Sequence, residues 1–441
     1  MAAGAGSAAA PVHQAEQQEP AQAWLSSSAV LDLNQAVAIA VEWHPSVRNA
    51  ASYLLESVEA IDAARAGYYP QVRAGLASDY RNRDVPGYDS RRVHTFTVSV
   101  SQMLYDFGKV SSQVDRARAG REAAQARVLL AVDELARDTA HAWIEVRRYE
   151  QLLQLAQAQR EGVSAIADLA RERRAKGASA LSDELQARAR EEAAQANQLD
   201  IASQLERWRL QLRQLTGLST LPATGGDADA VLSGACDVSA AASGPEVPAV
   251  LVAQADLRAT RAELDNARAQ SRPTISVDGS VSRGLDADSR MGHSHDSAIG
   301  LSVSAPLYQG GGHQARRRAA GHVLSAAEAA LDHARLQASQ GLTDAQSRAR
   351  GHAGRNAVLG ERAGSIEHTR DLYRQQYLDL GTRSLLDLLN AEQEFHGARV
   401  ERAHNSHDLL RMQVDCLAGS GRLRPAFGLE RRAFAGVELA P

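Results

Sequence analysis

Two hydrophobic periods divide the chain. From Leu31-Asp32-Leu33-Asn34-Gln35-Ala36-Val37 an Ala-rich amphipathic run extends to Gly67 at helical spacing, and 249–270 repeats it less fully. After Pro70 and Pro273, which stop these helices, the period falls to two. Val72, Ala74 and Leu76 alternate with Arg73, Gly75 and Ala77, and Phe96, Val98 and Val100 alternate with Thr95, Thr97, Ser99 and Ser101. Ile275, Val277, Gly279 and Val281 likewise alternate with Ser276, Asp278, Ser280 and Ser282, and Ile299, Leu301, Val303 and Ala305 with Ala298, Gly300, Ser302 and Ser304. The pattern predicts four strands of about ten residues in two hairpins, apolar on one face and Ser/Thr-rich on the other. Their connections, 82–92 and 284–296, are long and polar. By itself the alternation fits a half-buried soluble sheet better than a transmembrane barrel around water. Four strands cannot close a barrel, since small barrels need about eight, so a barrel here must be shared by several chains.

Beyond each second strand the helical period returns at unusual length. No proline lies between Lys109 and Lys176, and one helix over that stretch would reach roughly 100 Å. Val128, Val132, Leu135, Thr139, Ala142, Val146, Tyr149, Leu153 and Ala156 step by fours and threes, the seam of a coiled coil. Gly177 marks a turn, and a returning helix is predicted over 181–215 before Gly217. The corresponding stretch 312–380 holds Gly341, Gly351, Gly354, Gly360 and Gly364, each costing about 1 kcal/mol against alanine, so its helix is less strongly supported. Gly381 is its turn and 385–417 returns.

The two halves are copies of one unit. An offset of 203 pairs Pro45 with Pro248, Pro70 with Pro273, Asp62 with Asp265, Arg65 with Arg268, Ser99-Val100-Ser101 with Ser302-Val303-Ser304, Leu104-Tyr105 with Leu307-Tyr308 and Gly108 with Gly311. An offset of 204 pairs Gly177 with Gly381, Leu181 with Leu385, Asp183 with Asp387 and Leu185 with Leu389. The organisation expected is a flexible segment 1–30, a first repeat 31–216, a Gly/Pro/Ser-rich linker 217–247, a second repeat 248–418 and a C-terminal segment 419–441.

Composition narrows the function. Of 441 residues only 4% are aromatic, too few for aromatic-anchored cores, and alanine carries much of the apolar count. A net charge of −4 provides no basic field for nucleic acid. No apolar run approaches the roughly 18 residues of a membrane-spanning helix, so any membrane crossing must use strands. Residues 1–30 lack a basic region and an apolar core, so they do not read as an intact secretory signal, and Cys236 and Cys416 lie too far along for an N-terminal lipid anchor. Those two cysteines could pair in an oxidising compartment or stay free. His293-Ser294-His295-Asp296 offers metal-binding residue types but fits exposed loop polarity better, so no metal is expected. No phosphate-binding loop, zinc-protease helix or nucleophile elbow occurs, and neither enzymatic activity nor a cofactor is expected.

These residues together resemble the TolC family of outer-membrane export channels over nearly the whole chain. The junctions Leu104-Tyr105-Asp106-Phe107-Gly108-Lys109 and Pro306-Leu307-Tyr308-Gln309-Gly310-Gly311 are similar to its strand-to-helix turns, and Leu380-Gly381-Thr382-Arg383-Ser384-Leu385-Leu386-Asp387-Leu388-Leu389-Asn390-Ala391-Glu392 to its helical-tip signature. The resemblance implies a mainly α fold with β: a homotrimer whose α-helical barrel continues into a shared twelve-stranded outer-membrane β-barrel, four strands per chain. In it, 217–247 and 419–441 would form a belt around the tunnel. It further implies a gated duct reaching from outer-membrane lipid into the periplasm, working with an inner-membrane ABC transporter and a periplasmic adaptor. Within the family the likeness points to type I export of a protein toxin of the adenylate cyclase-haemolysin kind. Small-molecule or drug efflux on the same fold is the alternative, and a soluble coiled-coil scaffold is what composition alone would favour.

The resemblance also places a periplasmic gate. Asp168 lies nine residues before Gly177, Arg383 two after Gly381 and Asp387 four after Arg383. It implies that Asp168 and Arg383 form a closing ion pair and that Asp387 makes a threefold acidic ring attracting cations. The family's second acidic position is Asn390 here, and Tyr377 is displaced by one residue from its tip aromatic. Read from the residues alone, the same trio fits a solvated helix end, as does Arg171-Glu172-Arg173-Arg174.

Overall fold

A computed structural model describes residues 30–81, 91–237, 247–285 and 295–429, with two short strands beyond them. The expectations for 1–29, for the loop centres 82–90 and 286–294, and for His293 and Ser294 lie outside the described residues.

The chain opens with β1 (Val30–Leu31) and α1 (Leu33–Trp43). Asp32 caps α1 reciprocally with Gln35: the Gln35 N–H donates to Asp32 Oδ1 at 2.7 Å and the Asp32 N–H to Gln35 Oε1 at 3.3 Å. The single run expected up to Gly67 is split, because Pro45 forces His44 into extended backbone (ψ 136°) and itself starts α2 (Pro45–Arg65). Then come β2 (Gln71–Arg81), β3 (Arg91–Tyr105), α3 (Lys109–Ala175), α4 (Leu181–Thr216), β4 (Ala223–Thr224) and α5 (Asp229–Leu232). The second half holds α6 (Pro248–Ala269), β5 (Thr274–Gly284), β6 (His295–Ser304), α7 (Gly312–Gln375), a π-helical turn Gln376–Leu380 and α8 (Leu385–Gly419). Last are α9 (Leu423–Ala426), β7 (Ala433–Phe434) and β8 (Val437–Glu438). The elements form two compact units, one of 1–48, 129–247 and 337–441, the other of 49–128 and 248–336, so each sequence repeat contributes to both. Among the described residues no helix is long and apolar enough to cross a membrane.

In the second unit the four strands form one antiparallel sheet in the order β2-β3-β5-β6. The period-two pattern sets its faces. Val72, Leu76, Tyr80, Phe96, Val100, Val281, Ile299, Leu301 and Val303 are exposed on the apolar face, with Ile299 84% accessible. On the opposite face Asp278 binds three strands at once. Its carboxylate accepts from Ser101 Oγ at 2.5 Å, Ser302 Oγ at 2.5 Å and Ser276 Oγ at 3.1 Å. Ion pairs Arg116–Glu263, Arg127–Asp256 and Arg258–Glu122 tie the start of α3 to α6.

In the first unit α3 is buried on more than its predicted seam. Val132, Thr139, Ala142 and Val146 are fully buried, and so are Ala136, Ala140, Trp143 and Ile144 beside them. Tyr149 and Leu153 are only partly covered, whereas Leu152 and Leu155 are buried, so the contact line drifts from the strict heptad. The indole N–H of Trp143 donates to the Leu31 carbonyl at 3.0 Å, fixing β1, which pairs in parallel with β4. α8 runs antiparallel to α3, as a charge ladder records: His141–Asp415 at 3.2 Å, Glu145–Arg411 at 3.2 Å and Arg148–Asp408 at 2.5 Å. Burial holds His407, inside this ladder, below the usual imidazole range, and Arg148 adds to the shift. The interior glycines do not break α7, because Leu342, Ala345, Ala349, Leu359 and Ala363 bury one face and packing overrides propensity.

Cys236 and Cys416, left open by the sequence, form a disulfide that ties the segment after α5 to the end of α8. It packs with Leu342 and Ala345, and Gln346 Nε2 donates to the Cys236 carbonyl at 3.0 Å. The bridge spans 180 residues, which in the chain-entropy view constrains the unfolded state by about 5 kcal/mol. Cys236→Ser is expected to lower the melting temperature measured by circular dichroism in detergent. An unchanged melting temperature would show that the bridge adds nothing.

Asp133 gives a pH-dependent prediction. Burial pushes its carboxyl up to about 6, only partly offset by Arg424, whose Nε lies 3.0 Å from Asp133 Oδ1. An acid raised on folding adds stability that is fully present below its unfolded value near 3.8 and is lost as pH rises through about 6. Asp133→Asn removes that dependence. Relative to it, wild type is expected to lose roughly 2.5 kcal/mol between pH 4 and 7, read from paired melting curves. Parallel curves would refute the assignment.

Candidate functional site

The tip of the first unit is built by two tight turns. Gly177 takes φ 72° and closes α3, its N–H donating to the Arg174 carbonyl at 2.8 Å while that of Ala178 reaches Arg173 at 2.8 Å. Gly381 takes φ 65° after the π-helical turn, and Ser384 then caps α8. Beneath both turns Val163, Ile166, Ala167, Ala170, Ala187, Leu385, Leu388 and Leu389 form a core that includes Tyr377. Tyr377 lies within the π-turn and is buried. Arg173 fastens that aromatic from outside. Its Nη1 donates to the Tyr377 carbonyl at 3.2 Å and its guanidinium lies 4.7 Å from the ring centre.

Within one chain Asp168 and Arg383 have different partners from each other. Asp168 is exposed and pairs with Arg171 one turn on, at 2.7 Å. Arg383 Nε donates to Gln376 Oε1 at 3.0 Å, and its guanidinium lies 4.3 Å over the Tyr373 ring. Asp387 is half-buried as the third residue of α8. Its N–H donates to Ser384 Oγ at 3.1 Å, and the Ser384 N–H donates to Asp387 Oδ2 at 3.3 Å, so it is also a helix cap. Asn390 is exposed one turn further. The basic run lies largely exposed, and on that surface Arg174 pairs with Glu184 across the turn and Glu172 with Lys176.

Sequence reasoning missed a polar knot behind the tip. A cavity of about 460 Å³ between α3, α7 and α8 is lined by Gly162, Arg370, Glu392, Phe395 and His396 among others. His396 Nε2 and Glu392 Oε1 are 3.0 Å apart on adjacent turns, both residues buried, and the Arg370 guanidinium lies 3.9 Å over Phe395. The four-residue spacing of Glu392 and His396 was visible, but only the fold brings Gly162 against them. A Cβ on Gly162 would sit 2.3 Å from Glu392 Oε1. Gly162→Ala is therefore expected to displace the carboxylate and cost about 1–3 kcal/mol, measured by thermal unfolding. Equal stability would show that the knot is slack.

The strand-to-helix junctions lie in the second unit. Leu104 and Tyr105 end β3 in exposed positions, Phe107 takes φ 57° and Gly108 φ 96°. Asp106 accepts from the Gly108 N–H at 3.0 Å and the Val110 N–H at 2.6 Å, capping α3. In the second copy Pro306 is partly buried, Leu307 and Tyr308 are 96% and 86% exposed, and Gly310 and Gly311 take φ 59° and 78°. His295 and Asp296 open β6, and among the described residues no group of three metal-ligating side chains forms.

This duplicated arrangement matches the outer membrane efflux protein family over residues 36–218 and 246–415. The chain belongs to that family. It is 25% identical to Outer membrane protein TolC of Escherichia coli over 416 residues, 86% of this chain and 80% of TolC. It is 26% identical to Protein CyaE of Bordetella pertussis over 414 residues, 89% of this chain and 84% of CyaE. The fold superimposes on the outer membrane protein VceC of Vibrio cholerae with a TM-score of 0.77 at 18% identity, covering 88% and 96% of the two chains. The protein is thus an outer-membrane channel of TolC type, an α-helical barrel with β parts that reaches into the periplasm. Channels of this family are homotrimers that work with inner-membrane transporters and adaptors, and they are not enzymes.

Proposed function

We propose that this channel is the outer-membrane duct of a type I export system, passing a protein toxin of the adenylate cyclase-haemolysin kind in one step with an ABC transporter and an adaptor, and that its periplasmic gate is formed by Asp168, Arg383, Asp387 and Asn390. One observation carries the gate. Asp168 and Arg383 hold only exposed, local contacts within the chain, and such surface contacts contribute about 0–1 kcal/mol. Contacts that weak can be exchanged for a partner on a neighbouring copy. A closing pair between copies would therefore form at little cost and open again when the inner-membrane complex docks. Asp387, repeated three times around the axis, gives the entrance its negative charge, with Asn390 neutral beside it. Small-molecule efflux is the second reading, favoured by the family's description as efflux proteins.

Asp168→Ala and Arg383→Ala are each expected to raise single-channel conductance in planar bilayers, and unchanged conductance in both would remove the gate. Asp387→Asn, which keeps the shape of the cap, is expected to lower the cation-to-anion permeability ratio. Cells supplying the transporter, adaptor and a toxin substrate distinguish the cargo: secretion of the toxin supports type I export, whereas altered drug susceptibility without secretion supports efflux.

A further inference from the structure

Basic and acidic residues separate at the end of the sheet that lies away from the helices. The strand register sets one row straight across the four strands: Leu76↔Phe96, Phe96↔Arg283 and Arg283↔His295. Alternation places this row on the same face as Val72, Val100 and Ile299, each four residues further in along its strand. Leu76, Phe96 and Leu285 are exposed on that face, and so are Arg283 and His295. One row further out His94 stands opposite Ser78. The acids of the same end, Asp79 and Asp296, fall on the Ser/Thr-rich face, Asp296 opposite Ser282. Among the described residues no acid pairs with Arg283. The duplication repeats the feature, since the offset of 203 maps Arg283↔His295 onto Tyr80↔Arg92, and both pairs are in register.

The depth of the row follows from the strand rise. Among the described residues no helix can cross a membrane, so in this outer-membrane channel the crossing falls to the sheet, with its apolar face to lipid. From Ile275↔Val303 to Arg283↔His295 is eight residues along β5, roughly 26 Å at about 3.3 Å each. A tilt of about 40° brings that to roughly 20 Å of height, against an apolar band of about 25 Å in barrels of this kind. The row therefore stands at one edge of the band. The helices leave from the other end of the sheet and the channel reaches into the periplasm, so this edge is the outer one. An arginine facing lipid is costly at mid-bilayer and tolerated at headgroup depth.

We infer that Arg283 and His295 hold a phosphate group of a phosphorylated glycolipid in the outer leaflet, whose acyl chains lie along Leu76, Phe96 and Ile299. The guanidinium offers forked donors that match a phosphate. Directly opposite side chains stand about 4.5–5.5 Å apart at Cβ, and two basic ones repel when both are charged. A phosphate between them replaces that repulsion with two attractions. The apolar row beside and below them supplies what a free anion would not use, a surface for hydrocarbon. The inference holds whichever cargo the channel carries.

The full-length channel in detergent is titrated with bisphosphorylated lipid A, and bound lipid is counted by native mass spectrometry. Wild type is expected to bind it about tenfold more tightly than the same lipid stripped of phosphate. Arg283→Gln is expected to remove that preference, and Arg283→Lys, which keeps the charge and loses the fork, to remove part of it. Arg73→Gln lies on the opposite, water-facing side and is expected to leave it unchanged. Equal binding of the two lipid forms by wild type overturns the site, and that comparison needs no substitution. An equal loss in Arg73→Gln overturns it as well, by showing a general charge effect. Displacement of the lipid by millimolar inorganic phosphate reveals a free-anion site and overturns the lipid assignment. Phosphatidylglycerol binding as tightly as lipid A, and lost alike in Arg283→Gln, overturns the glycolipid headgroup.

Discussion

Unpaired backbone at the edges of a four-stranded sheet is the constraint on which the rest of the molecule depends. Water satisfies such edges on a soluble protein, but the bilayer core cannot, so the sheet must close and four strands are too few to close alone. A barrel shared among chains follows from that deficit, and the family's channels are trimers. So does the distribution of side chains, with bulky apolar residues exposed on one face and Asp278 held by three serine hydroxyls on the other. The lipid-facing side needs no polar partner, while the water-facing side carries a carboxylate that three serine hydroxyls hold in place.

The first unit obeys a different balance. Around Trp143 the helix α3 is buried on nearly every side, and its charged neighbours Glu145 and Arg148 are paired with α8. Buried pairs of this kind set register and are costly to break singly. At the tip, by contrast, Asp168 and Arg383 are exposed and locally paired, while the hydrophobic core and the Arg173–Tyr377 contact lie just beneath them. A firm base under weakly held charges is what the proposed gate requires.

The long helices, the four strands and the two glycine turns were legible because each rests on local chemistry: a hydrophobic period, a missing proline, or a backbone angle that favours glycine. The break at His44 was not read, because the amphipathic run continues across it, although a proline restricts the residue before it. The tip residues Asp168, Arg383 and Asp387 were found by resemblance, and nothing in their own spacing separates a gate from a solvated helix end. Asp387 proved in addition to be a cap, three residues after Ser384.

The sequence by itself determined the duplication and the alternation of the strands, since these follow from neighbours along the polymer, and a count of four strands showed that a barrel, if there is one, is shared. Only the tertiary structure decided that Cys236 meets Cys416, that Tyr377 turns inward beneath Arg173, and that Gly162 stands against Glu392. Each of those joins residues far apart in the chain. Their meeting depends on how helices cross and wind, a property of packing that no single segment encodes.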